Sequence, residues 1–513
     1  ANSVRSVVPR PAWVIPRFLP LYPDKPNTPF LPVDLMFYQL DPEKDTVELR
    51  KESVFKQDKE GARTNGYMRL LLGPHSNDDV MAQMRADEAQ RAISNAADGT
   101  ATYSVPAVHS AISDNYANMV KAGLIEVVQG YVHTASENSV ALTSQRSAES
   151  ETSNVAADTV LENVDDLILC TGFTPALDFL DQSILATIGF DEKETLQPLL
   201  LHRDVMHPDL PGLYFAGMYR GPYFAGVELQ ASAVAAYITG SIALPADATM
   251  RERVETSRKI RQQVPRPQFP HVDYVGMSLE WMRDLGLCLH PAPAPSAPST
   301  EATKAPLPVS ESYVFSPDML APVCDLPLAT QDSIARVIAD CNEGKHLSQS
   351  IFRALQGDWA FERTLISQLE SSPSGTVVGK ISLLRADKAS SDLKYVEKGR
   401  FTTTRGMSFD VNGSQYVYAL NEAEDCIDIF FADKETGLVK ERIFVSLRVA
   451  GRDAEGWIAV GEPHLCGKDT YIVRFRLAFQ GLALSRIEIQ IDVKGPFKDY
   501  QSNTVLTKFE SAI

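Results

Sequence analysis

Residues 469–479 read Asp-Thr-Tyr-Ile-Val-Arg-Phe-Arg-Leu-Ala-Phe. Tyr471, Val473, Phe475, Leu477 and Phe479 alternate with Ile472, Arg474, Arg476 and Ala478. A repeat of two is the side-chain period of a strand, with one row facing a core and the other facing away. The same beat continues in Ile487, Ile489, Ile491 and Val493, separated by Glu488, Gln490 and Asp492. It is present earlier in Ile443, Val445, Leu447 and Val449, separated by Phe444, Ser446 and Arg448. From Gly357 onward the chain reads as successive strands of this kind. That pattern predicts a curved antiparallel sheet, most economically closed as a barrel whose inner rows fill or line the interior.

Moving toward the N-terminus, the period changes. Ile334, Val337, Ile338 and Cys341 predict a helix within 330–355. Before it, Pro291-Ala292-Pro293-Ala294-Pro295-Ser296-Ala297-Pro298 continues to Pro306 and Pro308. Proline fixes φ and removes amide donors, so this stretch reads as an extended connection. The chain therefore divides into an α/β region at 1–290, a Pro/Ala-rich linker and connecting helix at 291–350, and an all-β unit at 351–513. In the first region, residues 109–122 predict a helix ended by Gly123, and Leu124 to Val128 a strand. Shorter strands are expected at 130–133 and 139–142. Val164 to Phe173 is an apolar run with acidic entry and glycine exit, the pattern of a buried parallel strand. Leu213 to Gly217 repeats it, and a helix is expected from Val227 to Ile238. This alternation predicts a doubly wound, Rossmann-like sheet.

At 513 residues the chain is long enough for roughly two to four domains. Its 49 Lys and Arg against 66 Asp and Glu leave a net charge of −17, which argues against nucleic acid or anionic membrane as a general partner. No apolar run is long enough to span a bilayer. The six cysteines are widely and irregularly spaced, with no CxxC pair, and the nine histidines show no ligand spacing. Free thiols in a reducing compartment, a cytoplasmic location and no structural metal are the expectation. The chain opens at Ala1 with no initiator Met and is strand-like at once, which reads as the start of a fragment.

Four separated segments resemble flavin-containing and N-hydroxylating monooxygenases. They are Ser6 to Arg17 (SVVPRPAWVIPR), Val164 to Pro175 (VDDLILCTGFTP), His207 to Gln230 (HPDLPGLYFAGMYRGPYFAGVELQ) and Gln268 to Pro291 (QFPHVDYVGMSLEWMRDLGLCLHP). The resemblance implies an enzyme that uses FAD and NADPH to insert one oxygen into a small organic substrate. It makes Thr171, Gly172, Phe173, Gly217 and Gln230 candidate cofactor-binding residues. Arg10 becomes a candidate partner of the NADPH 2′-phosphate. A glycine after a strand lets backbone amides approach a cofactor closely. The chain departs from the family in having no GxGxxG, the motif that cradles the diphosphates. The expectation is thus the C-terminal portion of such an enzyme. The alternative is a redox-inactive remnant whose barrel is a small-molecule binding module or isomerase.

The C-terminal unit resembles a lipocalin-like barrel family of unknown function. The matching pieces are Gly357-Asp358-Trp359, Tyr395 to Gly399, Tyr416-Val417-Tyr418, Phe431-Ala432-Asp433, His464 to Tyr471 and Gly495 to Tyr500. In lipocalins the Gly-x-Trp tryptophan plugs the closed end of the barrel. Tyr395 and Glu397 share one face of a strand, Tyr416 and Tyr418 share a face of another, and His464, Asp469 and Tyr471 flank a short loop. Tyr395, Glu397 and His464 are therefore the catalytic candidates: such a cluster in an apolar cup moves protons on a hydrophobic substrate. The same residues also read as a satisfied network that plugs a small barrel. The fusion suits secondary metabolism, with the barrel binding or rearranging the oxidised product.

Overall fold

Parallel pairing, expected for the first region, is present but short. The computed structural model describes residues 4–8, 12–37, 66–73, 110–143, 158–172, 175–192, 194, 197–218, 224–262, 280–281, 284–286, 329–370, 372–386, 390–413, 415–432 and 440–508. Strands β1 (Val4–Val8), β2 (Trp13–Ile15), β3 (Phe18–Pro20) and β4 (Phe30–Pro32) precede β5 (Ser110–Ile112) and β6 (Ile125–Gln129). β1 pairs with β6 and β2 with β5, both in parallel. β3 and β4 form an antiparallel pair. β7 (Tyr131–Ala135), β8 (Ser139–Thr143) and β9 (Thr159–Glu162) make a small antiparallel sheet. Among the described residues the parallel pairs stay two-stranded and do not join into the expected doubly wound sheet.

Several local expectations change with tertiary context. The helix predicted over 109–122 is confined to Tyr116–Lys121, because Ser110–Ile112 finds a parallel partner in Trp13–Ile15. Gly123, with φ +68°, does end that helix. The apolar run at 164–170 is not a buried strand. It is irregular and solvent-facing, with Ile168 82% and Leu169 69% exposed. Among the described residues no neighbouring strand supplies the ladder and opposing layer that such a run needs. The stretch 213–217 contributes only a single bridge, between Met206 and Tyr214. The expected helix at 227–238 is present as Phe224–Thr239. Arg10, Phe173 and the Pro-rich stretch at 291–308 lie outside the described residues. No helix among the described residues is long and apolar enough to cross a membrane.

The helical pattern at 330–355 resolves into two helices, Ala329–Glu343 and Leu347–Leu355. Gly344 separates them at φ +90°, where a Cβ would lie 2.6 Å from both the Trp457 ring and the Val449 side chain. Only glycine meets both demands there.

Beyond the second helix come β10 (Gly357–Ser367), β11 (Gly375–Arg385), β12 (Leu393–Thr403), β13 (Ser408–Asn412), β14 (Tyr416–Asn421) and β15 (Cys426–Ala432). They are followed by β16 (Lys440–Arg452), β17 (Trp457–Gly461), β18 (His464–Cys466), β19 (Asp469–Gln480), β20 (Ala483–Lys494) and β21 (Tyr500–Lys508). The order β11-β10-β21-β20-β19-β17-β16-β15-β14-β12 closes through the pairing of β11 with β12, giving a ten-strand antiparallel barrel. β13 and β18 hang from β12 and β19. Lipocalin barrels have eight strands, so this interior is wider and demands more side-chain volume to fill it.

The alternation read at 469–479 holds: Tyr471, Val473, Phe475, Leu477 and Phe479 are buried. At 443–449 it breaks. A register shift between β15 and β16 turns Phe444 inward and leaves Ile443 exposed, while Val445 and Leu447 remain buried. A bulge adds one residue to one strand and so changes which row faces the core.

The barrel end that holds Trp359 is closed by chain from far away in sequence. Trp359 is fully buried, donates its Nε1 hydrogen to Leu355 O at 2.8 Å, and carries Lys508 Nζ 3.9 Å above its ring. Trp13, Ile15, Leu19, Phe30, Met68, Leu71 and Leu72 join the same core as the barrel residues. The contact is specific as well as apolar. Trp457 Nε1 donates to Thr28 O at 2.8 Å, Phe479 N to Pro26 O, Gly481 N to Pro23 O and Leu482 N to Leu71 O. The barrel's core therefore extends outside 351–513. Trp457→Phe keeps the ring but leaves the buried Thr28 carbonyl unpaired, and we expect it to cost about 1–2 kcal/mol. The shift in urea midpoint of the full chain measures it, and an unchanged midpoint would show that this cap adds nothing.

Candidate functional site

The strand period sets the site. On β10, Trp359, Phe361 and Arg363 share the inner row, so an arginine occupies a position where the pattern calls for an apolar residue. On β12 the inner row carries Tyr395 and Glu397. Arg363 Nη1 and Nη2 donate to Glu397 Oε1 and Oε2, each at 2.7 Å, and Arg363 Nε donates to Thr504 Oγ1 at 2.8 Å. Tyr395 OH donates to Glu397 Oε2 at 2.5 Å. A planar fork on a carboxylate is the strongest geometry an ion pair offers. Burial opposes the Arg363 charge, but the bonds to Glu397 outweigh it and hold its pKa above the ordinary value. Tyr395 is pushed well up, first by burial and then by the Glu397 charge, so it stays a protonated donor.

Glu397 sits where β12 changes partner. Its first residues pair with β14 and its last with β13, and residue 413 crosses the gap. A Cβ on Gly413 would fall 2.7 Å from the Glu397 carboxyl carbon. Glycine at this crossing lets the backbone cover the carboxylate.

Above this polar layer, toward the end opposite Trp359, the wall is aromatic. Tyr395 meets Tyr416 at 5.7 Å between ring centroids, Tyr416 meets Phe444 at 5.5 Å, and Phe444 meets Phe431 at 5.2 Å. Phe444 also meets His464 at 5.4 Å and Tyr471 at 5.8 Å. Edge and tilted contacts of this kind each add about 1 kcal/mol beyond burial. The bulge in β16 is what brings Phe444 to the middle of this chain of rings. His464 and Tyr471 face each other across the β18–β19 hairpin, which turns at Gly467 with φ +68°. Lys498 Nζ donates to Tyr471 OH at 2.8 Å, and Asp469 Oδ1 accepts from Phe497 N and Lys498 N, holding the turn at 495–499.

The His464 Nε2 atom is buried without a hydrogen-bond partner. Burial, and then the Arg442 charge, lower its pKa, so the imidazole is neutral at neutral pH. Tyr500, on the inner row of β21, is pushed up to about 12 by burial and then by Tyr471. Arg363 faces inward yet keeps 23% of its side chain exposed, while its partner Glu397 keeps 4%. Arg363 therefore keeps contact with water from its place on the inner row.

Of the three catalytic candidates, Tyr395 and Glu397 touch, and His464 does not touch either. The link from His464 to Tyr395 runs through Phe444 and Tyr416 rings. Both Glu397 oxygens are occupied, which leaves it poorly placed as a general base. Arg363 explains this, and the Trp359-Phe361-Arg363 row was the available signal for it. In the first region, Gln230 is fully buried, and its Oε1 accepts from Gly217 N at 3.2 Å while its Nε2 donates to Arg203 O at 3.5 Å. Its amide is thus occupied by backbone. Thr171, Gly172 and Gly217 lie exposed.

Residues 355–508 match a family of unknown function, DUF6314. No curated protein matches the chain. Among solved structures, the S-type phycobiliprotein lyase CPES from Guillardia theta is similar at 11% identity and TM-score 0.24, over 33% of this chain and 99% of its own.

Removing one member of the buried pair should be asymmetric. Arg363→Met strands Glu397 in the interior and should cost about 3–5 kcal/mol, whereas Glu397→Gln leaves an arginine that still reaches water and should cost less. Chemical denaturation of both variants measures the difference, and equal losses would contradict this placement of the charges.

Proposed function

We propose that the barrel is a binding module for a small, ring-bearing and largely apolar molecule, held in the half of its interior that opens away from Trp359. The observation that carries this is the exposure of Arg363, an inward-facing side chain at mid-height, beneath a continuous wall of aromatic rings. Space that water enters and rings surround suits a flat apolar guest. The Arg363–Glu397 pair forms a neutral floor. Binding is favoured over proton transfer because Glu397 is fully engaged and His464 stands apart from it.

Phenylnaphthylamine, a neutral probe that fluoresces in apolar surroundings, tests this. We expect saturable one-site binding to the full chain, weakened about tenfold by Tyr471→Ala or Tyr416→Leu, which remove ring contacts. Circular dichroism checks that both variants fold. No saturable binding, or binding that both variants leave unchanged, would overturn the proposal.

For residues 1–290 we retain the proposal of an FAD- and NADPH-dependent monooxygenase portion, acting on a small organic substrate. It rests on the four sequence segments alone, and no redox step is derived from the described residues. Its consequence is that the chain reconstituted with FAD shows a flavin band near ~450 nm and oxidises NADPH. A colourless protein after reconstitution would leave the redox-inactive alternative.

A further inference from the structure

Two cations stand at the open end of the barrel, and they suggest the charge of its guest. Arg442 lies over the Phe431 ring at 4.9 Å and donates to Cys466 Sγ at 3.4 Å. Lys498 donates to Tyr471 OH and lies 5.6 Å from that ring's centroid. Both cations thus rest on the aromatic wall itself. Among the described residues neither is paired with a carboxylate. Asp469, in the adjoining hairpin, has its Oδ1 committed to backbone amides. Deeper in, the Glu397 charge is cancelled by Arg363. Burial holds Tyr395 and Tyr500 in the protonated form, and His464 is uncharged.

Among the described residues the mouth therefore carries two positive charges without a paired carboxylate, in a chain whose net charge is −17. A low-dielectric cleft concentrates the field of such charges. Resting on the reading of the barrel as a binding module, we infer that its ligand is an aromatic acid, with the rings seated among Tyr416, Phe444 and Tyr471 and the anionic group held at the rim by Arg442 and Lys498. The arrangement orders the guest. Its apolar body enters first, and its charge stays where water and the two cations meet it.

The test compares two probes with the same ring system, anilinonaphthalenesulfonate and the neutral phenylnaphthylamine. We expect the sulfonate to bind about tenfold tighter at low salt, as one charge-assisted contact would give. That preference, read as the ratio of the two affinities within each protein, should disappear in the double variant Arg442→Met, Lys498→Met. Added salt should weaken the sulfonate alone. Equal affinities for the two probes, or a sulfonate preference that survives the double variant, would overturn the anionic assignment while leaving the binding module standing. Failure of both probes to bind would remove the binding module and this inference together.

Discussion

A sheet that closes on itself satisfies its backbone but creates an interior that must be filled. Ten strands enclose more space than the inward rows of this barrel occupy uniformly, and the chain fills it in three different ways. At one end it brings in Trp13, Phe30 and Leu71 from hundreds of residues upstream, beside Trp359 and Trp457. At mid-height it sets an ion pair. At the other end it sets a wall of aromatic rings. The difference between scaffold and site follows from this unequal filling.

The filling also ties the two halves of the chain together. β2 pairs with β5 in the first region, yet its residues Trp13 and Ile15 belong to the barrel core. The stretch from Trp13 to Pro32 therefore acts as a strap with one edge in each part. The hydrogen bonds of Pro23, Pro26 and Thr28 carbonyls to the strand ends fix where that strap lies. Prolines suit the role, since the strap's backbone meets these strand ends through carbonyls and has no need there of the missing amides.

How much of this was legible depended on whether the signal was local. Period two in 469–493 was enough for the barrel, and Trp359 and the Tyr395–Glu397 face followed from it. The partner of Glu397 was visible in the same way, as an arginine in an apolar row, but its geometry needs three strands in register. The inward turn of Phe444 was not legible, because a bulge belongs to a pair of strands and not to one. The strap was hidden for the same reason, since nothing in residues 13–32 names the surface they cover. The run at 164–170 failed in the opposite sense. Its composition is that of a buried strand, and among the described residues it has no layer to be buried against.

Arg363 lies on β10 and Glu397 on β12, with β11 between them. A slip of two residues in either ladder keeps every hydrophobic face in place but carries the two charges about 7 Å apart along the strands, leaving both unpaired in the core. Neighbouring registers are thus penalised by far more than the loss of one contact. The pair works as a proofreading device for strand alignment, rejecting near-miss versions of the barrel that hydrophobic alternation alone would tolerate.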